Sequence, residues 1–282
     1  MLLDKRLVIV SGKGGVGKSA VASGLALMGQ RHGLRVLAVE MESGDGLSAH
    51  FGTGSLEFKP REVRPGLHGM QMNRSDALLE YLSLQLRLPG MGRFGAVARA
   101  FDALATAAPA VREIVTIGKI LWEVREDRWD MVVVDAPPTG QIASYLRAPA
   151  SISELVATGR IRVQSEWMAN TLASPAITQL ILVTLPEELP STETAETIDW
   201  VEKTQVVTPP IIIANRVLED IPDGPDPGGT VGEMVALHRS LVAGQEEWLA
   251  KLPPDLTLPH LFGLFTPGEV AAHISDLLET LA

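Results

Sequence analysis

Gly12-Lys13-Gly14-Gly15-Val16-Gly17-Lys18-Ser19 decides the fold of this chain. Before it stands Leu7-Val8-Ile9-Val10, a short apolar run that reads as a buried strand. After it comes Ala20 to Gln30, with Val21, Leu25 and Met28 at roughly helical spacing. Strand, glycine-rich turn, helix is the setting in which such a loop cradles phosphate. The glycines let backbone N–H groups approach an anion closely. The helix N-terminus adds unpaired donors and the positive end of its dipole. In that setting the Lys18 ammonium reaches the β- and γ-phosphates, and the Ser19 hydroxyl ligates Mg²⁺.

A second anchor is Asp135, which closes the apolar run Met131-Val132-Val133-Val134. A carboxylate at a buried strand end is held rigidly, as a residue beside Mg²⁺ must be. Ala136-Pro137-Pro138-Thr139-Gly140 follows as a loop able to sense a γ-phosphate through backbone donors.

Further strands are expected at Val36–Val39, Leu180–Val183, Ile211–Ala214 and His260–Leu264, with a short edge strand at Gly69–Asn73. Val36–Val39 leads into the acidic, glycine-bearing loop Glu40-Met41-Glu42-Ser43-Gly44-Asp45-Gly46. Ser75 to Asp127 reads as consecutive helices, with Leu88–Gly95 as a break, Ala96–Ala108 small and helical, and Pro109–Asp127 amphipathic. Ile152–Leu172 is expected to be helical, Glu219–Gly229 a loop, and Glu269–Leu281 a closing helix. Strands alternating with helices predict an α/β fold: a mostly parallel central sheet flanked by helices, with a helical insertion. The chain is read as a single domain over 1–282, with a helical subdomain at about 75–127 and 152–172.

With 282 residues, 46% of them hydrophobic, the chain can bury a large core. A net charge of −10 argues against a broad nucleic-acid footprint. The absence of cysteine removes disulfides, thiolate metal sites and iron–sulfur ligands. The residues before the first strand do not have the build of a signal peptide, and no stretch reads as an integral membrane segment. A phosphate-binding site of this kind implies a cytoplasmic protein.

Lys13 narrows the reading. Lys13-Gly14-Gly15-Val16-Gly17-Lys18-Ser19 resembles the deviant Walker A loop of the MinD/ParA-like P-loop NTPases. Asp135-Ala136-Pro137-Pro138-Thr139-Gly140 is similar to the Asp-Thr-Ala-Pro-Thr-Gly of the ArsA/Get3-type ATPases among them. The resemblance covers nearly the whole chain, although only these two motifs are highly specific. It implies ATP and Mg²⁺, and a homodimer or a heterodimer with a related ATPase subunit. In that family the first lysine crosses the dimer interface, which is the role implied for Lys13. Asn215 matches the adenine-binding asparagine, with Arg216 beside it, and its amide can donate and accept along one base edge. A capping or turn role is the alternative for Asn215. Pro267, in Thr266-Pro267-Gly268, stands where the family packs a proline against adenine.

The resemblance thus implies Lys13, Lys18 and Glu42 as catalytic residues and Ser19 and Asp135 as metal ligands. The nucleotide-binding set is Gly12, Gly14, Gly15, Val16, Gly17, Lys18, Ser19, Ala20, Asn215, Arg216 and Pro267. Glu42 departs from the family, which has an aspartate there to position the attacking water. The extra methylene keeps the charge, but a displacement of about 1 Å can cost on the order of 100-fold in rate. Asp45 could substitute, and Glu42 could instead be a solvated loop acid.

The family's helices form an apolar groove, which implies a hydrophobic client or membrane-protein partner. Leu78, Leu82, Leu86, Met91 and Phe94 are candidates to line it, or to pack the helices into their own core. The lack of cysteines argues against arsenite transport and against a zinc-clipped dimer. The tail Glu269–Ala282 carries no Lys or Arg, which argues against a basic membrane-binding helix. The leading reading is a dimeric, Mg²⁺-dependent ATP-hydrolysing switch. The alternative is a nucleotide-dependent binding or regulatory subunit with little hydrolysis. A ligase that phosphorylates a small carboxylate would need substrate-binding residues beside the γ-phosphate, and none is evident.

Overall fold

In the computed structural model, residues 1–42, 44–86, 109–222, 224 and 227–282 are described. In chain order the strands are β1 (Leu7–Gly12), β2 (Val36–Glu40), β3 (Arg61–Arg64), β4 (Leu67–Gln71), β5 (Met131–Asp135), β6 (Thr178–Thr184), β7 (Ile211–Val217) and β8 (Leu256–Pro259). The helices are α1 (Lys18–Arg31), α2 (Gly46–Phe51), α3 (Arg74–Leu86), α4 (Pro109–Arg125), α5 (Thr139–Leu155), α6 (Arg160–Ala173), α7 (Glu188–Thr204), α8 (Gly229–Lys251) and α9 (Pro267–Leu277).

The strands form one sheet in the order β3-β4-β2-β5-β1-β6-β7-β8. Every pairing is parallel except that of β3 with β4. The central strands are apolar at successive positions because both faces are covered. Val8 and Val10 of β1 enter one hydrophobic cluster, and Leu7 and Ile9 enter the other. The same alternation runs through Val36 and Ala38 against Leu37 and Val39, and through Ile181 and Val183 against Leu180 and Leu182. On the first face lie Val21, Leu25 and Met28 of α1 with Leu47, Phe51 and Ile274 of α2 and α9. On the second lie Ile117, Ile120 and Leu121 of α4, Ile142 and Leu146 of α5, Met168 and Leu172 of α6, and Val201 of α7.

This arrangement delivers the carboxyl ends of β1, β2 and β5 to one edge of the sheet. In open parallel sheets the ligand crevice lies at that edge, where strand order diverges. β1 runs between β5 and β6, while the chain leaving it crosses beyond β5 to form β2.

Several elements differ from the sequence expectation. The predicted strand His260–Leu264 is instead β8 at Leu256–Pro259. Asp255 sets the register: its N–H donates to Ile212 O at 2.9 Å and its Oδ2 accepts from Ile212 N at 2.7 Å. Beyond β8, Phe262 and Leu264 are exposed and Gly263 has φ +143°. The expected edge strand Gly69–Asn73 is β4, an inner strand; the edge is β3, Arg-Glu-Val-Arg, whose single apolar residue gave no strand signal. The expected helix Ile152–Leu172 is two helices. α5 begins back at Thr139, and the chain breaks at Gly159, which has φ +100°. Arg162 Nη1 donates to the carbonyls of Ser153 and Val156 at 3.3 Å, satisfying the open end of α5.

α7 carried no apolar period because its buried face includes Pro190, Thr194 and Thr197. The Thr194 and Thr197 hydroxyls donate back to the carbonyls of Pro190 and Glu193 at 2.8 Å, which lets them be buried. α8 has only Val242 buried, with Val231, Met234, Leu237 and Leu241 exposed. The expected features Leu88–Gly95 and Ala96–Ala108, including Met91 and Phe94, lie outside the described residues, as do the side chains of Leu82 and Leu86. Leu78 is buried, so it belongs to the core rather than to an open groove. No helix among the described residues is long and apolar enough to cross a membrane.

Candidate functional site

The glycine loop joins the end of β1 to the start of α1 with three residues at positive φ: Gly12 (+153°), Gly15 (+84°) and Gly17 (+101°). Side chains rarely adopt these angles, which is why glycine stands there. A Cβ built on Gly14 or Gly15 would meet nothing within 4 Å, so the crest of the loop faces open space. Val16 is buried beneath it and Ala20 packs into the core, fixing the loop on α1. Lys18 is the first residue of α1, and its Nζ donates to Lys13 O at 3.4 Å.

Ser19 and Asp135 are brought together. Ser19 Oγ donates to Asp135 Oδ2 at 2.5 Å across 116 residues of sequence. Asp135 is 7% exposed, and its Oδ1 is buried with no hydrogen-bond partner among the described residues. That bare oxygen beside a hydroxyl, at the foot of a phosphate-type loop, fits a hard divalent cation. Burial raises the Asp135 carboxyl to about 6, while the Ser19 hydroxyl and the Lys18 charge pull it down and the Glu42 charge pushes it up.

Glu42 is exposed on the loop after β2, and Gln71 Nε2 donates to its carbonyl at 3.3 Å. The buried acid at this end of β2 is Glu40, which sequence reading assigned to the loop. Glu40 is 5% exposed, and its Oε1 accepts from the Gly46 N–H at 2.8 Å. Burial raises its carboxyl to about 7, against the backbone bonds of Gly46 and Leu47, and the charges of Asp135 and Asp45 raise it further. The signal that could have found it is the one that found Asp135: an acid directly ending an apolar strand.

These shifts set a pH dependence. Glu40 and Asp135 both hold protons more tightly folded than unfolded, so the folded state binds more protons between about pH 4 and 7. Stability from this source is fully present below about pH 4 and is lost as pH rises through about 6 and 7. In EDTA without nucleotide, Glu40→Gln is expected to remove part of that slope. Its melting temperature relative to wild type should climb from pH 5 to pH 8, by an amount on the order of 2 kcal/mol of stability. Parallel melting curves for the two proteins across that range would count against an unusual Glu40.

Lys13 forms an ion pair with Glu193 of α7 in the same chain. Glu193 Oε2 also accepts from Thr139 Oγ1 at 3.1 Å, and Ser11 Oγ donates to Pro137 O at 2.7 Å. The glycine loop, the start of α5 and α7 are thereby tied together. The Lys13 hydrogen bond, followed by that of Thr139, holds the Glu193 carboxyl below its usual range. Nothing in the sequence pattern singled out Glu193.

Asn215 ends up against the loop, with Nδ2 donating to Val16 O at 2.8 Å and Oδ1 accepting from Arg216 N at 2.9 Å. Both atoms that would read a base are engaged in holding backbone, although the second Nδ2 hydrogen and the carbonyl's other lone pair remain. Arg216 is exposed at φ +56°. Gly17, Ala20, Asn215 and Arg216 line a cleft of about 260 Å³ together with Pro259, Val270 and His273. Pro267 is exposed at the first turn of α9 and is not part of that lining; Thr266 there forms a capping box with Glu269. Among the described residues no group of three or more His, Cys, Asp or Glu could hold a metal, so any cation here depends on phosphate and water as well.

A parallel α/β sheet with a glycine loop at the end of β1, opposed to an aspartate at the end of β5, defines a P-loop NTPase. This chain belongs to the ArsA family of anion-transporting ATPases, whose model matches residues 5–164. It is 35% identical over 223 residues to ATPase BagA of Mycobacterium tuberculosis, a match covering 75% of this chain and 65% of that protein. It is 27% identical over 186 residues to a protein of Streptomyces coelicolor, covering 65% and 46%. It is 27% identical over 164 residues to ATPase get3 of Neurospora crassa, covering 55% and 47%. The chain thus spans less than two-thirds of the length of these relatives.

Proposed function

We propose that this protein is a Mg²⁺-dependent ATPase whose nucleotide state switches a dimer. The observation that carries the reading is the Ser19–Asp135 pair at the foot of an open glycine loop. Backbone N–H groups of Gly14 to Ser19 would hold the phosphates, and Lys18 would neutralise charge on the transferring phosphoryl group. Ser19 and Asp135 would hold Mg²⁺, which would supply Lewis-acid offset of the charge developing on the phosphoryl group. Glu42, on the loop between β2 and α2, is the residue we assign to orienting the attacking water. Its charge already reaches Asp135. Water attack on the γ-phosphorus would break the bond to the bridging oxygen and leave ADP and inorganic phosphate. Asn215, Arg216 and the cleft beside Gly17 are the proposed nucleoside site.

Lys13 completes the reading as the residue acting on a second subunit, identical or related. To do so it must leave Glu193. The pair is about one-third exposed on each side, so releasing it costs roughly 0.5–1 kcal/mol. Glu193→Gln is therefore expected to raise the dimeric fraction in ATP by about 2- to 5-fold, read as mass in solution. An unchanged or lower fraction would dismiss the restraint. The helical layer α3 to α6 is the proposed client- or partner-binding region, coupled to the site through Thr139 and Glu193. An ATP-driven cycle of this kind is assigned to the cytoplasm.

The test is steady-state ATP hydrolysis of wild type, Lys13→Ala and Glu42→Gln, with oligomer mass measured in ATP and in ADP. Turnover at least about 10-fold lower in both variants, with ATP favouring the dimer, is expected. Tight ATP binding without turnover, unaffected by Glu42→Gln, would instead support a nucleotide-gated binding subunit. The glutamate in place of the family's aspartate favours that second reading.

A further inference from the structure

Glu40 and Asp135 are the last residues of adjacent parallel strands and stand in register. Neighbouring strands lie about 4.8 Å apart, so the two carboxylates leave the sheet side by side. Both are more than nine-tenths buried. Each uses one oxygen and leaves the other bare: Glu40 Oε1 accepts from Gly46, Asp135 Oδ2 accepts from Ser19, and Glu40 Oε2 and Asp135 Oδ1 are buried with no partner among the described residues. Buried polar atoms are normally satisfied, and two bare carboxylate oxygens on neighbouring strands call for a cation between or beside them. Gly46 leaves room for this. A Cβ built there would lie 2.7 Å from Ser19 Oγ and 3.0 Å from Glu40 Oε1, so the hydroxyl and the second carboxylate border one small volume that only glycine keeps open.

We propose that Glu40 is a third protein group of the divalent-cation site, with Ser19 and Asp135, and that it passes cation occupancy on to the loop carrying Glu42. The proposal rests on the reading of this site as a Mg²⁺-nucleotide site. Mg²⁺ is held by one or two carboxylates together with phosphate and water, and Asp135 and Glu40 make the second carboxylate available. The loop connection is covalent and short. Glu40 begins the turn, and its Oε1 grips the Gly46 N–H that opens α2. Glu42 lies between those two fixed points. A Glu40 side chain drawn toward a cation pulls on the start of α2 and re-aims the intervening loop. Were Glu40 only a cap for α2, an uncharged glutamine would do the same work.

The experiment follows binding of a fluorescent ADP analogue in EDTA and through a Mg²⁺ titration, for wild type, Glu40→Gln and Glu40→Asp. Amide exchange at Gly46 and Leu47 is recorded alongside, and melting curves check folding. Glu40→Gln is expected to bind the analogue in EDTA as wild type does, but to need at least about 10-fold more Mg²⁺ for half-saturation. Addition of Mg²⁺ should alter exchange at Gly46 and Leu47 in wild type and not in Glu40→Gln. A Mg²⁺ titration of Glu40→Gln that overlays wild type would reduce Glu40 to a cap and overturn the proposal, leaving the nucleotide reading intact. Wild type that binds the analogue with no Mg²⁺ response, or not at all, would overturn both. Should Glu40→Gln not fold, Glu40→Asp decides. Its shortened side chain is expected to raise the Mg²⁺ midpoint several-fold, and an unmoved midpoint would overturn the proposal.

Discussion

Lys18→Ala is expected to lower ATP turnover by at least about 100-fold while leaving the melting temperature within about 2 °C of wild type. Lys18 opens α1, and its Nζ makes one long bond to Lys13 O. It is only half-buried, and Lys13 O is its one hydrogen-bond acceptor among the described residues, so its removal costs the fold little. Its proposed work is electrostatic: a fixed positive charge where negative charge collects as the phosphoryl group transfers. A donor aimed at such a position is typically worth 100- to 1,000-fold, because it needs no reorganisation during the reaction. Lys18→Arg is not expected to rescue turnover, since the planar guanidinium cannot take the place of a compact ammonium on a slim stem. The measurement is steady-state hydrolysis beside thermal melting. Turnover kept within 3-fold in a folded Lys18→Ala protein would remove Lys18 from the mechanism.

Gly12→Ala is expected to have the largest effect on stability. Gly12 has φ +153°, and it ends β1 in register with Val183 of β6. A Cβ there would lie 2.1 Å from Val183 O and 3.1 Å from Val16 Cγ2. The first contact is with backbone in the middle of the sheet, so relief requires β1 and β6 to separate or the loop to rotate. Strained backbone and overpacking each cost on the order of 1–3 kcal/mol, so a loss of about 3–5 kcal/mol is expected. In a chain of this size that corresponds to roughly 10 °C of melting temperature. Gly17→Ala is expected to lower stability and nucleotide affinity together. Its φ of +101° strains any side chain, and its Cβ would sit 2.4 Å from Asn215 Nδ2, displacing the buried amide from Val16 O. Gly12→Ala melting within 2 °C of wild type would show that this edge of the sheet is softer than its contacts imply.

Much of the site was legible in sequence because its parts are local. The strand, the glycines and the helix that make the phosphate loop are contiguous, and Asp135 is flagged by four apolar residues before it. The buried strands were legible because both their faces meet helices, which forces unbroken apolar runs. Elements whose burial is not apolar escaped the reading. The threonine face of α7 packs inward through back-bonded hydroxyls, and the charged β3 sits at an edge where only one neighbour constrains it. β8 was displaced by a few residues because its register is set by Asp255 gripping Ile212, a contact across 43 positions.

The family assignment, the glycine loop between β1 and α1 and the acid closing β5 are therefore properties of the sequence: each follows from residue types at short spacing or at strand ends. What the tertiary structure decided is which charges face one another. Glu40 ends an apolar run as Asp135 does, but its partner is fixed only when strand order sets β2 beside β5 and aligns the two. Lys13 reads as a lysine free to reach outward until α7 brings Glu193, 180 residues away, onto it. Electrostatic partnership depends on distances of a few ångströms between distant segments, and those distances are set by the order in which strands pair, which no local pattern of residues encodes.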